Sequence, residues 1–226
     1  MIDNLPHLRI LENKDWATIL FVFSFATIAI TKSTFENRFA DFVKLIYSDK
    51  YTNFYKDGNH LNNSFTLALF LIQLISFAFF IQISLSHFGY ASKTDWILFI
   101  QIITFLIYFV LAKFLIEKII ADAFDIEEIV DQFNLQKVIF RIYIGIFLLP
   151  LNIILFYNDA ISRNAMTMLI YIVLISCILT YLVSIKNYQN IIFSKLFYFI
   201  LYLCALEIGP YYFMYYWFTK GIAYKM

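Results

Sequence analysis

The sequence predicts an all-α fold, a polytopic membrane helix bundle with about six transmembrane helices and two amphipathic surface segments. Hydrophobic residues make up 62% of the chain, well above the roughly 45–50% that is usual in soluble domains. Several apolar runs approach the roughly 20 residues that an α-helix needs to cross a bilayer. Only five glycines and three prolines occur among 226 residues, so few positions interrupt these runs.

The predicted spans form a single integral membrane domain over residues 1–226. The first apolar run, Trp16–Ile30, is the shortest. Because a helix rises about 1.5 Å per residue, this run needs its flanking residues to reach across the hydrocarbon core. The six predicted spans lie near residues 16–32, 64–86, 96–117, 138–157, 165–184 and 192–217.

The segment 33–56 predicts the first amphipathic helix. Its aromatic and aliphatic side chains recur at helical spacing, while Arg38, Asp41 and Lys44 take the opposite face. This pattern is typical of a helix that lies on the membrane surface. A connecting helix that packs on the bundle would show the same pattern, so both interpretations remain open.

The segment 118–133 predicts the second amphipathic region. Acidic residues alternate there with apolar ones, so we expect the third helix to leave the bilayer as an amphipathic extension or to bend along its surface. Its carboxylates, Asp125, Glu128 and Asp131, favour a solvated face over a cation site. Lys113, near the end of the third apolar run, is expected to extend its charge to the headgroups.

Polar and helix-breaking residues occur inside two of the middle spans. Gln73 lies within the second span, where an amide is expected to face another helix. Pro150 lies near the middle of the fourth span and removes a backbone donor, which predicts a kink. Asn152 follows it, and its amide is expected to satisfy either the freed carbonyl group or a neighbouring helix.

The last stretch, Leu196–Phe218, carries Glu207 three residues before Pro210. A charged carboxylate at the centre of a membrane helix costs roughly 2.5–3.5 kcal/mol. Trp217 marks the outer interface, which places Glu207 about 15 Å deeper along the helix axis. We favour a structural bond to a hydroxyl, amide or basic group of another helix, and the alternative is proton coupling.

Several function classes lack support in the sequence. No Ser–His pair, paired membrane aspartates or HExxH helix supplies a nucleophile or an activated water within a span. The three histidines, His7, His60 and His87, lie in flanks, and no motif implies a metal or a cofactor. A net charge of +1 gives no preference for nucleic acid. We therefore expect no enzyme, and we expect the lipid bilayer and other membrane proteins as partners.

Lysine and arginine residues predict the orientation. The segments after the first, third and fifth spans carry eleven of them and the opposite segments carry six. Because basic residues concentrate in cytoplasmic loops, these segments are predicted to be cytoplasmic, with both termini outside.

Two short motifs carry a family resemblance. The first is Lys137, Tyr143 and Leu149-Pro150-Leu151, and the second is Tyr202-x-Cys204-x-x-Glu207-x-x-Pro210. The chain resembles an uncharacterised multi-pass inner-membrane family of Bacteroidota, one of the domain-of-unknown-function classes. The resemblance implies a bacterial inner-membrane location and singles out Lys137, Pro150, Glu207 and Pro210. It implies no activity.

These observations lead to a functional hypothesis by exclusion. The leading expectation is a non-enzymatic subunit or scaffold of a cell-envelope assembly, such as one connected with protein export. The alternative is a small proton-coupled transporter or channel that uses Glu207. A lipid-modifying enzyme is a third hypothesis.

Overall fold

The computed structural model describes residues 14–44, 64–123, 127–158 and 162–187. Every regular element in these residues is an α-helix, so the prediction of an all-α fold is confirmed. The helices are α1 Asp15–Thr34, α2 Glu36–Lys44, α3 Ser64–His87, α4 Trp96–Ala123, α5 Glu127–Tyr157 and α6 Arg163–Asn187.

Five of these helices are long and apolar enough to cross a membrane. They are α1, α3, α4, the part of α5 from Asn134 onward, and α6. The chain is therefore a multi-span membrane protein. The sixth predicted span, 192–217, lies outside the described residues, and so do Glu207 and Pro210.

The spanning helices alternate in direction along the chain. The Trp16 ring near the start of α1 stacks on Phe79 near the end of α3, with ring centroids 5.7 Å apart. At the turn between α3 and α4, the Gln82 amide donates a hydrogen bond to the Asp95 carbonyl oxygen over 2.7 Å. The bundle thus has a Trp96 end, where α4 begins, and an opposite end near Glu117, called the Glu117 end.

Helix α3 lies at the centre of the bundle. In the most apolar stretch of α3, 61% is buried inside the protein, whereas the corresponding stretches of α4 and α6 are 11% and 6% buried. Helix α5 packs beside α3 in the same direction, because Ser76 lies next to Asn152 and Phe79 packs edge-on against Phe156. Large faces of α4 and α6 consequently point away from the described helices.

A cluster of aromatic side chains packs together at the Trp96 end. Phe79 stacks on Phe21 with ring centroids 4.3 Å apart, and it contacts Phe99 at 4.5 Å. The indole nitrogen of Trp16 donates to the Thr94 carbonyl oxygen over 3.2 Å, which satisfies the one donor of this half-buried ring.

Helix α2 packs on the bundle through its aromatic face. Phe42 is buried, contacts Phe65 at 6.0 Å and stacks on Tyr143 at 4.3 Å between ring centroids. The Tyr143 hydroxyl donates a hydrogen bond to the Phe42 carbonyl oxygen, while Arg38 is exposed on the other side. Residues 36–44 therefore follow the second interpretation, a connecting helix on the bundle.

The segment 118–133 belongs to the ends of two long helices. Helix α4 continues to Ala123, which agrees with an amphipathic extension of the third span. Helix α5 already begins at Glu127, well before the predicted span near 138–157, because charged residues are compatible with a helix outside the bilayer. The limits of an apolar run mark the hydrocarbon core and not the ends of the helix.

Candidate functional site

A buried ion cluster links α4 to α5. Lys113 and Glu117 lie four residues apart on α4, so both side chains project from the same face. The Nζ atom of Lys113 lies 3.8 Å from Oε1 of Glu117, and the Nζ atom of Lys137 on α5 lies 3.5 Å from the same oxygen. The three side chains are 8%, 4% and 6% exposed in the order Lys113, Glu117, Lys137.

The cluster lies close to one edge of the hydrocarbon core. Glu117 is about 31 Å along the α4 axis from Trp96, and Lys137 is about 30 Å along α5 from Tyr157. The hydrocarbon core is about 30 Å thick. The charges are therefore buried in protein at the depth where the helices meet the headgroups.

One carboxylate lies beside the ammonium groups of two lysines in this cluster. Burial of charges is costly, and mutual attraction offsets the cost only when the geometry is good. Removing the carboxylate of Glu117 would leave two like charges buried together. Asn134 and Gln136, near Lys137 in the sequence of α5, are also buried, and Gln136 Oε1 accepts no hydrogen bond from any described residue.

Lys113 differs from its sequence-based expectation. It was expected to extend toward the headgroups, but it is buried against Glu117. The physical reason is the counter-charge one turn away on the same helix face. Sequence reasoning missed Glu117, although a carboxylate four residues after a lysine, within an apolar stretch, was a signal for such a pair.

A second group of buried polar side chains lies between α3 and α5. The Asn152 amide nitrogen donates to the Ser76 carbonyl oxygen over 2.7 Å and to the Ser76 hydroxyl over 3.2 Å. Asn152 thus bonds a neighbouring helix, which was one of its two expected partners. Helix α5 remains helical through Pro150, whose side chain is exposed, and the kink at this residue stays a prediction.

Gly145 permits a close approach of α3 and α5. A Cβ atom at this position would lie 2.8 Å from the Cα atom of Gln73. Gln73 is buried at this crossing, as expected for an amide facing another helix. Its Oε1 atom accepts no hydrogen bond from the described part of the chain.

Two carboxyl groups meet outside the membrane-spanning segments. The protonated Glu127 carboxyl group donates a hydrogen bond to the Asp122 carboxylate, and this bond, together with repulsion by the Asp122 charge, raises the pKa of Glu127 above its usual value. Desolvation and Asp131 act in the same direction, and Lys118 opposes them. This pair lies where α4 ends and α5 begins.

The predicted site residues do not form one site. Lys137 belongs to the ion cluster, Gln73 and Asn152 belong to the contact between α3 and α5, and Pro150 lies next to that contact on α5. Among residues 14–44, 64–123, 127–158 and 162–187, no three His, Cys, Asp or Glu residues come close enough to hold a metal ion. The chemistry visible in these residues is helix-to-helix bonding by buried polar and charged groups.

Comparison with known proteins gives a family. No curated protein and no solved structure matches the chain. The family model described as Domain of unknown function (DUF4271) matches residues 17–218, which is most of the chain. The chain therefore belongs to the DUF4271 family.

Proposed function

We propose that the protein is a non-enzymatic integral membrane subunit or scaffold of a cell-envelope assembly, in the inner membrane of a Bacteroidota-type bacterium. The observation that supports this proposal is that buried charges of the protein pair with one another between helices. Glu117 pairs with two lysines and links α4 to α5. A group engaged in this way stabilises the bundle and is a poor general acid or base.

The contact between α3 and α5 supports the same proposal. Asn152 uses its amide donors on Ser76, and Gly145 brings the two helices into close contact beside Gln73. Close packing and interhelical hydrogen bonds are the forces that hold membrane helices together. The result is a rigid framework, which suits a subunit that positions other proteins, for example in protein export.

The proposal includes an orientation. Lys32 at the end of α1 and Lys118 near the end of α4 lie toward the Glu117 end, and basic residues favour the cytoplasmic side. The Glu117 end is then cytoplasmic, and both termini are outside. A cytoplasmic signal from a reporter fused after Met226 would contradict this orientation.

Affinity purification of the full chain from native membranes in mild detergent tests the proposed role. The expected result is stoichiometric recovery of at least one other membrane or envelope protein, identified by quantitative mass spectrometry. An unrelated multi-span protein with the same tag is the control. Recovery of this chain with no other protein enriched over the control would contradict the proposal.

A small proton-coupled transporter or channel that uses Glu207 is the alternative, and one variant separates it from the scaffold. If Glu207 has a structural role, Glu207→Gln should reduce the abundance of the chain or release its partners. If Glu207 couples protons, Glu207→Gln should leave abundance and partners unchanged while proton-linked transport is lost. Glu36→Gln, at an exposed position on α2, is the matched control.

A further inference from the structure

The exposed face of α4 carries a regular seam, which we call the α4 seam. Its positions follow one another at alternating steps of four and three residues, the spacing with which a helix presents one stripe to a partner helix in left-handed packing. All six positions are exposed to the outside of the described bundle. They are Ile97, Gln101, Thr104, Tyr108, Leu111 and Leu115.

The α4 seam is polar at a depth where lipid is apolar. Gln101, Thr104 and Tyr108 lie about 8, 12 and 18 Å along the axis from Trp96, inside a hydrocarbon core about 30 Å thick. Tyr108 is 73% exposed. Amide and hydroxyl groups at this depth favour a hydrogen-bonding helix over lipid tails.

Helix α6 offers a direct comparison within the same protein. Its outward face presents Ile172, Ile175, Leu179 and Leu182, all exposed and all aliphatic, and the exposed Tyr171 is one polar group where the α4 seam has three. Aliphatic side chains of this kind pack against lipid tails and need no hydrogen-bonding partner. The α4 seam therefore differs from an ordinary lipid-facing surface by its chemistry and not by its exposure.

We propose that the α4 seam binds the same seam of a second copy of this chain, about a two-fold axis along the membrane normal. Such an axis places each seam residue opposite its own copy at the same depth. The Gln101 amide and the Thr104 and Tyr108 hydroxyls each contain both a donor and an acceptor. Each group therefore bonds its own copy, and the uncharged seam complements itself.

The flanking seam residues suit the same dimer. Leu111 and Leu115 continue the stripe toward the Glu117 end with side chains that interdigitate. No position of the seam carries a charge that would face a like charge across the two-fold axis. This dimer is independent of the proposed scaffold role, because two copies pair whether or not other proteins join them.

Cysteine cross-linking in native membranes tests the dimer. Cys177 and Cys204, the two cysteines of the chain, are first replaced by alanine. Single cysteines are then introduced as Thr104→Cys, Tyr108→Cys and Leu111→Cys, and the membranes are oxidised with copper phenanthroline. We expect a disulfide-linked product of twice the 26.8 kDa chain for these variants.

Control cysteines come from two other surfaces. Ile175→Cys and Leu179→Cys are exposed on α6, and Leu106→Cys lies on the side of α4 that packs on the bundle. These three should give little product. Absence of the dimer from every seam variant, equal cross-linking of the α6 controls, or a product with another protein would overturn the proposal.

A variant that keeps Cys177 and Cys204 tests the hydrogen bonds of the seam. Gln101→Leu, Thr104→Val and Tyr108→Phe together keep the shape of the seam and remove its polar groups. Loss of a membrane hydrogen bond weakens association about threefold, so three such losses predict roughly thirtyfold weaker dimerisation. Energy transfer between labelled copies in vesicles measures this change, and the monomer should melt normally because all three residues are exposed. An unchanged dimer affinity would contradict the proposed bonds.

Discussion

The Nζ atom of Lys137 lies 3.5 Å from Oε1 of Glu117, and this contact joins α5 to α4 at the edge of the hydrocarbon core. The same oxygen lies 3.8 Å from the Nζ atom of Lys113. A single carboxylate thus holds two buried ammonium groups. Loss of the Glu117 charge should therefore weaken the Glu117 end of the bundle.

Replacing Glu117 with glutamine should destabilise the bundle. The neutral amide keeps the shape of the side chain but removes the negative charge that lies beside the ammonium groups of Lys113 and Lys137. Breaking a buried ion pair in this way costs about 3–5 kcal/mol. Thermal melting of the detergent-solubilised protein, followed by size-exclusion chromatography, should show a clearly lower Tm for Glu117→Gln.

A compensated variant separates lost charge balance from lost packing. Changing Lys113, Glu117 and Lys137 to methionine removes these three charges together, and replacing buried ion groups by apolar residues often keeps or raises stability. This triple variant should melt near the wild-type temperature. Glu36→Gln, at an exposed position on α2, should have little effect. A wild-type Tm for Glu117→Gln would show that the ion cluster does not stabilise the protein.

Gly145→Ala should separate α3 from α5. The new methyl group would lie 2.8 Å from the Cα atom of Gln73, so the backbone itself must move. Overpacking of this kind costs about 1–3 kcal/mol, and the Tm should fall. Adding Gln73→Ala should not restore it, because the obstructing atom belongs to the main chain. Phe147→Ala, at a position on α5 that is 76% exposed, is the control, and full rescue by Gln73→Ala would contradict the assigned contact.

The sequence predicted the helices better than it predicted their contacts. The predicted spans near 64–86 and 165–184 lie within α3 and α6. They could be predicted because the length and apolar character that let a helix cross a bilayer depend only on residues adjacent in the sequence. The partner of Glu117 could not be predicted in the same way, since Lys137 comes from the next helix and only packing brings the two together. For the same reason, the choice of Ser76 as the partner of Asn152 required the arrangement of α3 beside α5.

The placement of α2 shows a similar limit. Its amphipathic pattern identified the apolar face, but that face fits a membrane surface or a protein groove equally well. The stacking of Phe42 on Tyr143 shows that this face of α2 packs on the bundle, and Tyr143 lies about a hundred positions later in the chain. A contact over such a sequence distance leaves no periodic signal near α2.

Acid should stabilise the junction between α4 and α5. The pKa of Glu127 is raised in the folded protein by the neighbouring Asp122 carboxyl group, so the folded state binds this proton more readily than the unfolded state. Stability therefore rises as pH falls through the raised pKa, and the gain is complete below the usual glutamate pKa of about 4.3. Glu127→Gln removes the repulsion, so its Tm should exceed that of the wild type at pH 8, and the difference should shrink toward pH 4. Asp122→Asn should have the same effect, with no further gain when the two changes are combined. A Tm difference that is independent of pH would contradict the assigned pair.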